Sequence, residues 1–370
     1  MFHKKLSFSF LGDTSLTFAF DEKPFSAIER LLCKSDFVVC NLEGPVTQVD
    51  HEPPIPCYTS EKYIKEFQAA NIRYFSLANN HTTDLGESGL IYTLKTLTDR
   101  RLRYLGAGLN ISEALKPMLL NDGVCILSFG SELIDCKRAT DKKYGVAPLY
   151  KKLISQMLRR AKKHNKVVII ILHFGYERDI LPTPYDRSLC HKLIENGADL
   201  IVGHHPHYFQ GHESHMGKDI FYSLGNFAFA DIATPFLTKP WESEALFSFI
   251  LQWQIDLKTL KANWSIVPIK SESGSVIPLM GEEKRILINE FNNRSECFAR
   301  MSDRKYHAYW KQNAKRKLVN PSGVVLYDKI RNSVYKMTYT AKDEGWKAMV
   351  EKVMAYKLRK FKGALYVKTK

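Results

Sequence analysis

Short apolar runs recur through the first 270 residues, and run after run ends in a residue able to bind a metal or move a proton. Leu6–Leu11 ends at Gly12-Asp13, and Phe37–Cys40 leads into Asn41-Leu42-Glu43. Arg73–Ala78 leads into Asn79-Asn80-His81, and Val167–Leu172 into His173. Leu200–Val202 leads into a cluster of five histidines, His204, His205, His207, His212 and His215. Apolar runs of this length bounded by turn residues read as buried strands, and the segments between them show helical spacing, which together predict an α/β fold. Parallel strands deliver their carboxyl ends to one edge of a sheet, where open α/β sheets bind ligands. The strand-end groups are therefore expected to converge, although Asp13 and His207 are far apart in the chain.

Helical spacing is read near Pro24–Cys33, after Ser60, and over Gly89–Arg101, Leu149–Lys163 and Pro184–Asn196. Leu246–Ile255 and Trp264–Ile269 read as an antiparallel pair closing the core. The texture changes after Ser271. Glu282–Leu318 and Lys342–Phe361 read as helices separated by Asn320-Pro321-Ser322-Gly323, with Trp346, Met349, Val350, Val353 and Phe361 on one face of the second. Residues 281–370 hold 22 Lys and Arg against 9 Asp and Glu, whereas the first 280 hold 32 against 30. The pattern divides the chain into a main domain, 1–280, and a basic helical extension, 281–370. Such a charge run is either a solvated face or a means of recruiting an anionic polymer or an anionic membrane surface. There is no zinc-finger or RNA-binding aromatic signature, so no specific nucleic-acid partner is expected.

The seven cysteines, an odd number with no C-x-x-C pair, read as small buried hydrophobes rather than a disulfide framework. Lys4-Lys5 before LSFSFLGDTSLTFAF has the outline of a signal peptide, but Asp13 interrupts the apolar stretch and no small-residue cleavage site follows. A first strand accounts for the same residues, and no later apolar run approaches the roughly 20 residues that span a bilayer. A cytoplasmic protein is expected, with at most peripheral membrane contact.

Taken singly, each strand-end group has an ordinary role. Asp13 would cap a turn, His173 would be a hydrogen-bonded buried imidazole, Glu43 a solvated carboxylate, and Asn226 in SLGNF an anchor for loop backbone. Their joint occurrence favours a metal site. A mixed set of carboxylates, amides and imidazoles suits Mn, Fe or Zn better than Mg or Ca. One or two such ions would activate water and clamp a phosphoryl or acyl oxygen.

The motifs Leu11-Gly12-Asp13, Asn41-Leu42-Glu43-Gly44-Pro45, Ser76-Leu77-Ala78-Asn79-Asn80-His81 with Asp84 and Gly86, His173-Phe174-Gly175, GADLIVGHHPH and YSLGNFAF resemble the CapA family of poly-γ-glutamate capsule synthesis proteins. The resemblance covers roughly residues 5–270 and implies a calcineurin-like metallophosphatase sandwich, mixed sheets flanked by helices. It implies metal ligands at Asp13, Glu43, Asn80, His173, His205 and His207, with His204 the register alternative to His205. It also implies catalytic roles for Asp13 and for His81, which would support the phosphate or leaving group. Two departures stand out. The D-x-H opening usual in metallophosphoesterases is Asp13-Thr14-Ser15 here, and Glu43 is a methylene longer than the usual aspartate. The function implied is a metal-dependent hydrolase acting on a phosphoester or an anionic cell-surface polymer. The alternative is a non-catalytic assembly or polymer-binding component that keeps the fold. His212 and His215 are expected at the rim of the site.

Overall fold

A computed structural model describes residues 5–317, apart from 18–19, 49–54, 121–122, 230–242, 273 and 300. Its centre is a pair of facing sheets. The first runs in the order Ser275–Pro278, Ala262–Glu272, Phe247–Asp256, Lys5–Ser15, Phe37–Leu42, Ile72–Ser76 and Arg103–Leu105, and Asn226–Phe229 pairs with the far end of Lys5–Ser15. The second runs His212–His215, Lys218–Phe221, Leu200–His204, Val167–His173, Val124–Gly130 and Met118–Leu120. From Lys5–Ser15 through Arg103–Leu105 the strands of the first sheet are parallel, as are the four central strands of the second. At the other edge of the first sheet and at both edges of the second the outer strands are antiparallel, including the closing pair read from sequence.

Side-chain alternation builds the layers. Leu6, Phe8, Phe10 and Val39 of the first sheet meet Val124, Ile126, Val167, Ile169, Ile171, Leu200 and Val202 of the second in one cluster. The opposite face of the first sheet supplies Leu11, Val38, Cys40 and Phe75, which pack on the helical residues Leu32, Phe67, Leu90 and Leu97. Val167–His173 is buried on both faces, which explains its unbroken apolar run. Two helices cover the outer face of this sheet, Lys151–His164 against Val167–His173 and Pro184–Glu195 against Leu200–His204. The latter begins where expected: Pro184 stands in its first turn, and the Thr183 hydroxyl accepts the Asp186 N–H at 3.0 Å.

The boundary expected at 280 falls inside the compact unit, which reaches Tyr306. Helix Gly281–Ala299 sends Leu287 and Phe291 into the inter-sheet cluster, and Phe291 lies 5.1 Å from Phe249 of one sheet and 6.5 Å from Phe221 of the other, ring centroid to centroid. Its Arg294 guanidinium sits 3.9 Å over the Phe209 ring and donates to the Phe209 carbonyl. The charge count registers the solvent face of this helix, whereas an apolar pair four residues apart decides where it belongs. A second unit begins at His307, and helix Asp303–Lys317 starts in the first. The expected helix 342–361 lies outside the described residues. Among the described residues, no helix is long and apolar enough to cross a membrane.

Met301–Tyr306 is tied to the main body through Arg187. This buried guanidinium forks onto Glu213, donates to Asp303 at 2.7 Å and to the Met301 carbonyl at 3.2 Å, and the Tyr306 hydroxyl donates to the Pro182 carbonyl at 2.6 Å. Burial alone would raise the Glu213 pKa, but hydrogen bonds from His191, Arg187 and Tyr222 outweigh it and hold the carboxyl at about 2.

Two outcomes are expected. Ile169→Ala, in the inter-sheet cluster, lowers unfolding free energy by about 2–5 kcal/mol in a denaturant titration, while Ile286→Ala, at a position 56% exposed, stays within about 0.5 kcal/mol. Because the folded pKa of Glu213 lies below its ordinary 4.5, its contribution is complete above that pH and fades as pH falls toward 2. Glu213→Gln therefore flattens the stability profile across that window, and equal slopes for variant and wild type would refute the assignment.

Candidate metal centre

Glycine and a register slip bring Asp13 to the centre. The pairing of Lys5–Ser15 with Phe37–Leu42 shifts between Leu11 and Asp13. At Gly12 a Cβ would lie 1.9 Å from the Gly225 carbonyl oxygen, which accepts the Asp13 N–H at 3.0 Å, so no larger residue fits. Asp13 thereby stands in register with both Asn41 and Asn226. In the second sheet His173 and His204 are register partners at the last positions of their strands. The chain then turns inward through His205 and His207, whose φ values of +100° and +60° are uncommon for residues with a side chain. Such backbone conformations persist where the surroundings over-determine them, often at functional sites.

Asp13 joins the two edges. Its Oδ1 accepts from Asn41 Nδ2 at 2.8 Å and its Oδ2 from the His205 backbone N–H at 3.2 Å. The imidazoles of His204 and His207 approach the same two oxygens at 3.4 and 3.6 Å. Burial works to raise the Asp13 pKa, but the imidazoles of His204, His207 and His173 more than offset it, and the carboxylate is held well below its usual range. Asn226 Oδ1 lies 2.8 Å from His207 Nδ1, so this amide fixes an imidazole rather than loop backbone. That aims His207 Nε2 into the site.

Glu43 is treated differently. It is wholly buried, and among the described residues neither of its oxygens has a hydrogen-bond donor. Three imidazole nitrogens ring its Oε1: Nε2 of His207 at 3.7 Å, of His173 at 3.8 Å and of His81 at 4.0 Å. Burial, reinforced by the charges of Asp13, Glu177 and Asp84, pushes the Glu43 pKa well up. Burial likewise pushes His173 well down, toward the neutral imidazole that serves as a ligand. Ligand atoms about 2.0–2.2 Å from a shared ion lie roughly 3–3.5 Å from one another, so these groups need only small contraction to close on a cation. Among the described residues, four groupings of three could hold one: Glu43-His173-His205, Asp13-Glu43-His207, Glu177-His205-His207 and Glu43-Cys57-His81. The donors fit a divalent transition metal, and Glu43, in three of the four, has the position of a bridging carboxylate.

Of the residues singled out in the sequence, Asp13, Glu43, His173, His205 and His207 come together here, and His204 joins them through Asp13. Asn80 is partly buried with its Oδ1 2.8 Å from His173 Nε2, and His81 stands partly exposed at the edge with its Nδ1 2.7 Å from Asp84. The expected rim position of His212 and His215 is corrected. Both lie in an edge strand of the second sheet, His212 against Asp219, Ser295 and Trp264, and His215 against Glu195 and His191. They follow the loop in sequence, but the chain has already turned back into a strand. Sequence reasoning expected Asn41 among the strand-end groups, quoted Asp84 only as part of a motif, and missed Glu177 and Cys57 as neighbours of the centre. The H-x-x-D spacing of His81 and Asp84 was a usable signal, whereas nothing local marked Cys57 or Glu177.

Fold and site together define an α/β sandwich whose facing strand ends pool carboxylates and imidazoles into a buried cation-type centre. Residues 6–231 match the family model described as bacterial capsule synthesis protein PGA_cap, and the chain belongs to that family. It is 36% identical over 215 residues to the PGA biosynthesis protein CapA of Bacillus subtilis, covering 55% of this chain and 56% of the relative. It is 32% identical over 218 residues to the capsule biosynthesis protein CapA of Bacillus anthracis, covering 55% and 53%. The chain thus spans about half the length of these curated relatives. Among solved structures, a 5'-nucleotidase precursor from Thermus thermophilus aligns at 14% identity and a TM-score of 0.41, over 78% of this chain and 59% of that one.

A buried carboxyl without donors costs stability, whether it stays charged or takes up a proton, until a cation offsets it. Glu43→Gln is therefore expected to raise the melting temperature of chelator-treated protein. It should also remove most of the gain, about 2.7 kcal/mol at 100 times Kd, that added Zn or Mn gives the wild type. An undiminished gain in the variant would show that Glu43 does not face the ion.

Proposed function

We propose that this chain is a metal-dependent hydrolase of the phosphoesterase type, serving the synthesis or modification of an anionic cell-surface polymer such as a poly-γ-glutamate capsule. The observation that carries this reading is Glu43, fully buried without a hydrogen-bond donor among the described residues and ringed by the imidazoles of His81, His173 and His207. The polymer setting is supported by the family and by the CapA relatives.

Asp13, Glu43, His173, His205 and His207 would hold one or two ions, Mn, Fe or Zn, with Asn80 beside His173. When bound, such an ion lowers the pKa of water and polarises a phosphoryl oxygen. The protein does the rest. Asn226 keeps the His207 ring in one orientation, and Asn41 and the His205 N–H keep Asp13 in place. At the partly exposed edge, Asp84 orients the His81 ring through Nδ1, and His81 would support the phosphate or leaving group, directly or through an ion held beside it. The surplus of basic residues in the C-terminal quarter would attract an anionic polymer or an anionic membrane surface to the chain.

A second reading, a non-catalytic assembly component that retains the centre, is favoured by one observation: Ser15 stands where the D-x-H histidine would be and is spent on backbone, its Oγ donating to the Tyr58 carbonyl at 2.9 Å. Turnover of a generic phosphodiester by the metal-loaded chain separates the two. On the hydrolase reading, His81→Ala slows turnover by about 10²–10⁴-fold, and Asn226→Ala weakens metal affinity by about 10–100-fold. Full metal occupancy with no turnover of phosphomonoesters, phosphodiesters or glutamyl polymer, together with normal polymer formation by His81→Ala in a capsule-forming host, would sink it.

A further inference from the structure

We infer that Cys57 is a thiolate ligand at a second cation position, completed by Glu43 and His81. This deepens the metal-centre reading and rests on it. The Cys57 thiol, a Glu43 carboxylate oxygen and a His81 ring nitrogen all lie within 4.8 Å of one another. Among the described residues, Cys57 is the only cysteine in any of the candidate metal groupings.

The thiol is held at the centre by its own backbone. Gly44, directly after Glu43, has φ +99°, and a Cβ there would lie 2.3 Å from the Cys57 carbonyl oxygen, so only glycine lets the two segments approach. One residue on, the Tyr58 backbone is pinned in both directions by Ser15, whose Oγ donates to its carbonyl at 2.9 Å and accepts its N–H at 3.1 Å. The Thr59 N–H donates to the Pro45 carbonyl at 2.9 Å. These contacts clamp the loop against the strand ends that carry Asp13 and Glu43. The residue that departs from D-x-H is therefore the one that seats Cys57.

The other two donors are ready for an ion. Asp84 engages His81 Nδ1 at 2.7 Å and leaves Nε2 directed at Glu43, the carboxylate–histidine pairing that orients metal ligands. Glu43 has two oxygens and no donor on either among the described residues, so it can serve this position as well as the histidine-rich one. Binding releases the thiol proton to solvent as the S–metal bond forms. A sulfur ligand makes this position softer than its neighbour and favours Zn over Mn.

Cobalt titration of the full metal-free chain tests this. Co(II) reports imidazole and carboxylate ligation through visible d–d bands, and thiolate ligation through a separate, intense near-ultraviolet charge-transfer band. The wild type is expected to take up two equivalents and show both signals. Cys57→Ser should keep the d–d bands and the fold by circular dichroism, but lose the charge-transfer band and one equivalent. Cys33→Ser, at an exposed cysteine, should lose nothing. Visible bands without the charge-transfer band, or a band that survives in Cys57→Ser, overturn the assignment while leaving the histidine centre intact. No cobalt uptake at all overturns both.

Discussion

The fold turns on one buried carboxylate that touches both sheets. Asp13 belongs to the first sheet through its N–H on Gly225 and its Oδ1 on Asn41, and it reaches the second through the His205 N–H. Other polar strand tips also meet across the gap, Asn80 on His173 and Ser76 on Ser128, but Asp13 alone among them is an ionised carboxylate shared by both sheets. Each of the Asp13 contacts depends on the others. Gly12 must be glycine for Asp13 to be reached, and the turn after His204 must be left-handed for its amide to point back. The imidazoles then find a negative charge at the one place where burial would otherwise drive them apart.

Asp13 and Glu43 are equally buried and oppositely served. Asp13 has donors and is held ionised, whereas Glu43 has none among the described residues and burial pushes its proton affinity up. A fold under selection for stability alone would replace Glu43 with an amide or an apolar residue, because a buried charge without donors costs several kcal/mol. Its presence among three imidazoles is what a site loses in stability so that a cation can bind. The contrast assigns the two residues different tasks. Asp13 positions the strand ends and offers spare lone pairs, and Glu43 answers to the ion.

How far the sequence revealed this depends on the range of each signal. Period-two alternation and unbroken apolar runs are local, so the strands ending at Asp13, His173 and His204 were legible, as was their convergence. The family resemblance, borne out by the match over residues 6–231, added the ligand roles. The misses share a physical cause. His212 and His215 look like part of the histidine loop until strand pairing returns them to the edge of the sheet. The boundary at 280 was drawn from net charge, which reports the solvent face of helix Gly281–Ala299, whereas Leu287 and Phe291 decide that the helix belongs to the core. Asn226 was read as a backbone anchor because its partner, His207, becomes a neighbour only when the first strand lies beside both.

Ser15 shows how a site can shift within an unchanged frame. An imidazole at that position would project from the first strand, two residues after Asp13, into the same space. A hydroxyl is too short to reach an ion there, and it turns instead to the backbone of Tyr58. Ser15 is thus a clamp on the loop that carries Cys57, the thiol proposed above as a partner of Glu43 and His81. Main-chain pairing fixes the strand ends from which Asp13, Glu43, His173 and His204 reach the centre. The loop that carries Cys57 is held by Ser15 on Tyr58 and by the pairing of Val46–Thr47 with Thr59–Ser60. A change at Ser15 would therefore alter which donor faces Glu43 and His81, and with it the ion preferred, while leaving the strand-end centre in place.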